Sequence, residues 1–290
     1  MNLRLVLSLV LLVLCASRAT ASESVDPYLW LEEVGSEQAL SWVRAQNSLS
    51  QKALEASPDF APIHDRLRAI YDSDARIPGV TQQGPWLYNF WRDARQPRGL
   101  WRRTTPAEYR KPQPVWQTVL DLDALAARES ENWVWKGASC LYPKYARCLL
   151  RLSRGGADAH VVREFDVSAR GFVDDGFQLP EAKHSVAWRT LDSLLVASDF
   201  GPGTLTASGY PRSIRQWQRG TPLATAPSVY EAAASDVAVD MEVFNEPGRQ
   251  RELIQRAITF FSYEYFLRAG EHLARLDVPN DAVVSLLRDQ

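Results

Sequence analysis

Short strand-like segments recur along this chain at a spacing of about 50 residues. Runs rich in Trp, Tyr, Val and Leu lead the successive groups at Trp86, Trp133, Val186 and Val237, and Gly, Pro and Asp separate the runs. Such runs predict β-strands joined by tight turns, and this period is in the range of β-propeller blades. We therefore predict a mainly β fold with about four propeller blades, although periodicity alone leaves a β-sandwich as the alternative.

The candidate strands all lie after Gly79, and no long helical pattern interrupts them. They are Trp86–Trp91, Leu100–Arg103, Val115–Leu120, Trp133–Ser139, Cys148–Leu152, Val161–Phe165, Ser193–Ala197, Ser213–Gln218, Val237–Val243, Ile258–Leu267 and His272–Leu276. Residues 79–290 are accordingly predicted to form the propeller domain.

The segment before the strands, residues 22–78, has the apolar period of α-helices. Ser36 is a suitable N-cap for a first helix, which places Leu40, Val43 and Leu54 on one face. A second helix is predicted to begin at Pro62, because proline is favoured in a first turn. Its apolar face would comprise Ile63, Leu67 and Ile70.

Residues 1–21 have the pattern of a secretory signal peptide. Arg4 precedes an apolar run from Leu5 to Ala16, and Ala19-Thr20-Ala21 has the small residues of a cleavage site. The run is shorter than the roughly 20 residues that a membrane-spanning helix needs. We therefore predict cleavage after Ala21 and a periplasmic or secreted protein without a membrane anchor.

The charge balance argues against a nucleic-acid partner. The chain has 33 basic and 35 acidic residues and a net charge of −2. It has no basic block of the kind that follows a phosphate backbone.

Two cysteines remain after removal of the signal peptide, Cys140 and Cys148 in the segment CLYPKYARC. An oxidising compartment favours a disulfide between them, with Pro143 turning the chain in between. A zinc site is the weaker alternative, because no second pair of ligands completes four. The four histidines stand far apart in sequence and are interpreted as ordinary surface or core residues: His64, His160, His184 and His272.

Motifs of common enzyme classes are absent from the sequence. It has no Gly-x-Ser-x-Gly nucleophile turn, no His-Glu-x-x-His and neither glycine-rich nucleotide motif. Asp199-Phe200-Gly201 matches a protein kinase tripeptide but lacks the kinase's other motifs, and we interpret it as a strand-to-loop corner. We predict no catalytic, cofactor-binding or metal-binding residue. Four further aspartates are interpreted as turn residues: Asp121, Asp123, Asp174 and Asp175.

A series of motifs extends from Asp26 to Arg288. They are DPYLWLEEV, GLWRRT at Gly99–Thr104, WKGASCL at Trp135–Leu141, RCLLRLSRGGADA at Arg147–Ala159, VVREFDV at Val161–Val167, GFQLPEAK at Gly176–Lys183, SDFGPGTLTASGYPR, RQWQRGTPL at Arg215–Leu223, RELIQRAI at Arg251–Ile258 and LDVPNDA at Leu276–Ala282. Together they resemble the N-terminal part of the prolyl oligopeptidase family of serine peptidases.

The resemblance implies a division of labour between domains. In that family an N-terminal helical segment and a C-terminal α/β-hydrolase domain form the catalytic unit. A seven-bladed propeller between them covers the active site and filters substrates by size. The family cleaves short peptides, commonly after proline, and its Ser, Asp and His triad lies in the C-terminal part.

The motifs in this sequence stop before that C-terminal part. The resemblance therefore implies an incomplete seven-bladed-type propeller preceded by a short helical segment, with no triad residue and no cofactor. The expected function is that of the N-terminal part of an exported peptidase acting on short peptides, with the hydrolase domain supplied in the same chain or by a separate one. The alternative is a stand-alone periplasmic binding or interaction module.

Overall fold

The structure, a computed structural model, describes residues 26–246, 248–270 and 272–284. It divides into two compact units, Met1–Ile70 and Tyr71–Gln290. The predicted signal peptide, residues 1–21, lies outside the described residues. Within the described ranges, no helix combines the length and apolarity needed to cross a bilayer.

The described residues of the first unit are mainly helical. A 3-10 turn, Leu29–Glu32, precedes helix α1 (Glu37–Glu55), and Trp42 of α1 packs on Tyr28 and Trp30 with ring centroids 6.1 Å apart in each case. The predicted cap is confirmed, since Ser36 Oγ accepts a hydrogen bond from the backbone N–H of Ala39 at 3.2 Å.

Helix α2 (Phe60–Asp72) begins two residues before the predicted start at Pro62. Proline is tolerated anywhere in a first turn, because the N–H groups there have no helical partner. Pro62 therefore indicated the first turn of α2 correctly, but not the residue at which the helix begins.

The described residues of the second unit form four antiparallel sheets. The strands of sheet 1 are β1 (Thr81–Gln83), β2 (Trp86–Trp91), β3 (Leu100–Thr104) and β4 (Gln117–Asp121). Those of sheet 2 are β5 (Trp133–Cys140), β6 (Arg147–Arg154), β7 (His160–Asp166), β8 (Gly171–Phe172) and β9 (Gln178–Ala182). Those of sheet 3 are β10 (Ser185–Thr190), β11 (Ser193–Ala197), β12 (Ser213–Gln218) and β13 (Ser228–Glu231). Those of sheet 4 are β14 (Ala238–Glu246), β15 (Arg249–Thr259), β16 (Ser262–Ala269) and β17 (His272–Arg275).

Each sheet is a meander whose strands pair in chain order, except that β8 and β9 both pair with β7. The sheets begin at Thr81, Trp133, Ser185 and Ala238, so the starts are 52 or 53 residues apart. This confirms the predicted period. Trp86 begins the second strand of sheet 1 and not the first, because the polar β1 gives no strand signal in the sequence.

Successive sheets share apolar cores. Trp101 of sheet 1 packs with Leu150 of sheet 2, Leu149 of sheet 2 lies in one core with Leu194 of sheet 3, and Leu195 of sheet 3 lies in the next core with Ile254 of sheet 4. Neighbouring residues on a strand point to opposite faces, so sheets 2 and 3 are buried on both sides. This explains the apolar runs within their strands, such as Leu149-Leu150 in β6 and Leu194–Ala197 in β11.

Apart from the strands that the prediction lacked (β1, β8, β9 and β13), two features of the strand region differ from the prediction. Ile258–Leu267 is not one strand: β15 ends at Thr259, β16 begins at Ser262, and the turn between them exposes Phe260 and Phe261 by 71% and 85%. Because Phe260 and Phe261 are apolar, the sequence pattern did not indicate a turn between the two strands.

The other difference is that two short helices interrupt the strands, α3 (Pro106–Tyr109) and α4 (Leu122–Glu129). Asp121 caps α4, with its Oδ1 accepting from the N–H of Ala124 at 2.9 Å. Asp123 accepts from the backbone N–H groups of Arg98 and Gly99. Both aspartates therefore accept hydrogen bonds from backbone N–H groups. Asp121 is a helix cap and not a turn residue.

Candidate functional site

A cavity of about 670 Å³ lies between sheets 2, 3 and 4. The first strands of these sheets, β5, β10 and β14, all contribute to its wall. Hydrogen bonds join these strands: Trp188 Nε1 donates to the carbonyl oxygen of Ser139 at 2.9 Å, and Ser185 Oγ donates to Asp240. The blades of a propeller surround a central channel, and the position of this cavity beside the first strands corresponds to such a channel.

Charged side chains of both signs line this channel cavity. Arg151 of β6 reaches it across β5, where the backbone of Gly137 has φ 117°. A Cβ on Gly137 would lie 2.9 Å from Nη2 of Arg151, so a larger residue would displace the end of this side chain. Burial lowers the pKa of Arg151, and the negative charge of Asp240 opposes that shift. The exposed carboxylates of Asp240 and Glu242 make the opposite wall acidic.

The structure brings together two histidines that are distant in sequence. His184 lines the channel cavity, and its ring lies edge-on to that of His160 at a centroid distance of 5.3 Å. Burial lowers the pKa of His184 to about 4 and lowers that of His160 as well. Nδ1 of His184 and Nε2 of His160 are buried without a hydrogen-bond partner. Both rings are therefore neutral at pH 7.

We expect His184 to make the propeller less stable in mild acid. The unfolded chain binds a proton at His184 below a pH of about 6.5, whereas the folded chain does so only near pH 4. The neutral ring of His184 therefore costs no stability above pH 6.5. As the pH falls below this value, the free energy of unfolding decreases, by about 2–3 kcal/mol at pH 4. Denaturant midpoints between pH 4 and 8 should show a shallower slope for His184→Gln, with His272→Gln, a change at an exposed histidine, as the control. An unchanged slope in His184→Gln would contradict the expectation.

The two cysteines meet at the wall of the same cavity. Cys140 and Cys148 are register partners on β5 and β6, and the structure joins their Sγ atoms at 2.01 Å. Cys140 lines the cavity, and Cys148 is fully buried. Their oxidation state in the native product stays a prediction.

The remaining candidate motifs are backbone features. Asp199 follows β11, and its Oδ1 accepts from the N–H of Gly201 at 2.8 Å, which confirms the strand-to-loop corner. Asp174 and Asp175 are exposed in a turn. In the described parts of the chain, no three His, Cys, Asp or Glu side chains are grouped to hold a metal ion.

Sequence reasoning missed Arg151, Asp240 and His184. A signal existed for the first two, because each interrupts an apolar strand: Arg151 follows Leu149-Leu150, and Asp240 follows Ala238-Val239. A charge in a strand with two buried faces needs a cavity or a partner. The sequence does not show which strands face each other, so the cavity itself had no signal.

Four meander sheets in succession, each sharing an apolar core with the next, define the chain as part of a β-propeller. The family model for the prolyl oligopeptidase N-terminal beta-propeller domain matches residues 18–243. The chain therefore belongs to the prolyl oligopeptidase family.

Relatives of the chain are peptidases by name. An uncharacterized peptidase of Sinorhizobium fredii is 35% identical over 273 residues, which are 91% of this chain and 38% of that protein. One of Rickettsia prowazekii is 28% identical over 270 residues, which are 88% of this chain and 37% of that protein. A solved structure of a post-proline cleaving enzyme from Rickettsia typhi is 27% identical, with a TM-score of 0.78 over 87% of this chain and 38% of that one. The chain thus spans little more than a third of the length of these relatives.

Proposed function

We propose that this chain is the N-terminal propeller part of an exported serine peptidase that cleaves short peptides. The observation that carries the proposal is the match of residues 18–243 to the propeller domain of this family. The named peptidases continue well beyond the matched 38% of their length. In our proposal the nucleophile, its histidine and its aspartate lie in an α/β-hydrolase domain corresponding to that further part, in the same chain or in a separate one.

Exposed apolar residues on both helices of the first unit support a hydrolase partner. Leu54 of α1 is 63% exposed, and Ile63 of α2 is 57% exposed. Leu40, Val43, Leu67 and Ile70 are also exposed. Apolar surface of this extent favours burial against another protein surface. The propeller would cover the active site, and the channel cavity with Arg151 and Asp240 would face peptides on their way to it.

The native product tests the proposal directly. It should be captured from the extracytoplasmic fraction with an antibody against residues 22–57 and analysed by intact mass and by a fluorophosphonate probe, which labels activated serines. We expect a mature N-terminus at Ser22, a labelled serine in the captured product or its bound partner, and cleavage of a short peptide. A captured product that contains no labelled serine and cleaves no peptide would instead favour the stand-alone binding module.

A further inference from the structure

Arg151 is a cation without a direct partner in the wall of the channel cavity. In the parts of the chain that the structure describes, its guanidinium has no hydrogen bond and no ion pair. Burial lowers the pKa of Arg151, so the charge is poorly solvated as well as unpaired. A charge in this position is costly unless another group binds it, and the guanidinium reaches the space of the cavity.

The wall that carries Arg151 has both of its neighbouring sheets. Sheet 2 shares one apolar core with sheet 1 and another with sheet 3. Further blades of a seven-bladed ring would join at the outer faces of sheets 1 and 4, and their first strands would line the far side of the channel. Because a closed propeller keeps a central channel, closure of the ring leaves this wall accessible to a ligand.

Asp240 on the opposite wall does not neutralise Arg151 by direct contact. Its Oδ1 accepts hydrogen bonds from Ser185 Oγ and from the backbone N–H of Met241. Its attraction opposes the effect of burial on the pKa of Arg151 but does not cancel it. The guanidinium donors of Arg151 are therefore free for an anionic group.

The two walls of the channel cavity select the charge of the ligand. The planar guanidinium of Arg151 matches the two oxygens of one carboxylate. Asp240 and Glu242 repel anions that carry several charges, such as a phosphate ester, and attract a positive group. A short peptide with free termini has one carboxylate and one ammonium group. An apolar last residue can pack on Val243 and Phe244, which also line the cavity.

We propose that the channel cavity binds short peptides through their C-terminal carboxylate, with Arg151 as the residue that recognises it. Peptides with a free C-terminus are thereby retained in the channel in preference to amidated ones. The inference does not depend on the proposed peptidase activity, because it concerns binding to the propeller alone.

The test is titration of the full-length product with the tripeptide Gly-Gly-Leu and with its C-terminal amide, which differ only in the carboxylate. The product is first treated with the fluorophosphonate probe, so that an activated serine neither binds nor cleaves the peptide. Isothermal titration calorimetry should show saturable binding of the acid and at least tenfold weaker binding of the amide, as expected for a charged hydrogen-bonding pair.

Arg151→Met removes the charge and keeps an unbranched side chain. It should weaken binding of the acid at least tenfold. The denaturant midpoint should not fall, because an unpaired charge holds no other part of the fold. Arg151→Gln is the second variant, to be used if Arg151→Met does not fold.

Arg215→Met is the matched control. Arg215 lies in β12 of sheet 3, where its guanidinium carbon is 4.1 Å from the ring centroid of Phe200, and it does not line the cavity. This variant should bind the acid as the unaltered protein does. Equal binding of the acid and the amide, or no saturable binding of the acid, would overturn the proposal. An unchanged affinity in Arg151→Met, or an equal loss in Arg215→Met, would overturn it as well.

Discussion

Replacing Glu252 with methionine is expected to lower the free energy of unfolding of the propeller by about 3–5 kcal/mol. Glu252 of β15 is only 3% exposed. Its Oε2 accepts from Nη1 of Arg268 on β16 at 2.6 Å, and its Oε1 accepts from Nε of Arg189 on β10. Removal of the carboxylate leaves the guanidinium of Arg268, 5% exposed, without this counter-charge in the interior between sheets 3 and 4.

The paired variant tests this interpretation. Glu252→Met with Arg268→Met removes both buried charges and keeps apolar volume, and such replacements of whole ion pairs are often nearly neutral. Arg189 is 20% exposed and can retain contact with water. We therefore expect the double variant to be more stable than Glu252→Met alone, as measured from denaturant midpoints of the propeller transition by tryptophan fluorescence. A double variant whose loss equals the sum of the single losses would refute the coupling of the two charges.

Buried strands were the part of the fold that could be predicted from sequence. Ser193–Ala197 is an unbroken apolar run because both faces of β11 lie in apolar cores. Short runs of aromatic and β-branched residues located β5 and β7, each within one residue of the observed bounds. The strands Gln178–Ala182 and Ser228–Glu231 were missed. Both are polar and lie at a sheet edge, and the first contains Pro180, which is compatible only with an edge.

The candidate sites depend on contacts between distant residues and could not be predicted in this way. Arg151 and Asp240 are 89 positions apart in sequence, yet both line one cavity because sheets 2 and 4 meet sheet 3 through their first strands.

The last expected result concerns Glu164, whose side chain is fully buried in β7. Its carboxylate accepts from Nη1 and Nη2 of Arg219 at 2.8 and 3.1 Å and from the N–H of Phe177 at 2.9 Å. Arg147 Nη1 lies 3.5 Å away. Arg219 follows the last residue of β12, so this carboxylate joins sheet 2 to sheet 3.

Glu164→Gln keeps the size of the side chain, removes its charge and replaces one acceptor oxygen with an amide donor. We expect a loss of about 3 kcal/mol in the free energy of unfolding. This value is the lower end of the loss of about 3–5 kcal/mol that is usual when a buried ion pair is broken. The lower end applies because Arg219 and Arg147 are 25% and 34% exposed and can be partly solvated.

Glu131→Gln is the matched control for Glu164→Gln. Glu131 also forms a forked pair, accepting from Nε and Nη2 of Arg154 at 2.9 and 2.7 Å, but both side chains are solvent-accessible. Water replaces the lost attraction at such a site, so its denaturant midpoint should change much less. If Glu164→Gln and Glu131→Gln shifted the midpoint equally, burial would not be what makes Glu164 important. A large shift confined to Glu164→Gln would mean that the junction of sheets 2 and 3 depends on a buried charge as well as on their shared apolar core.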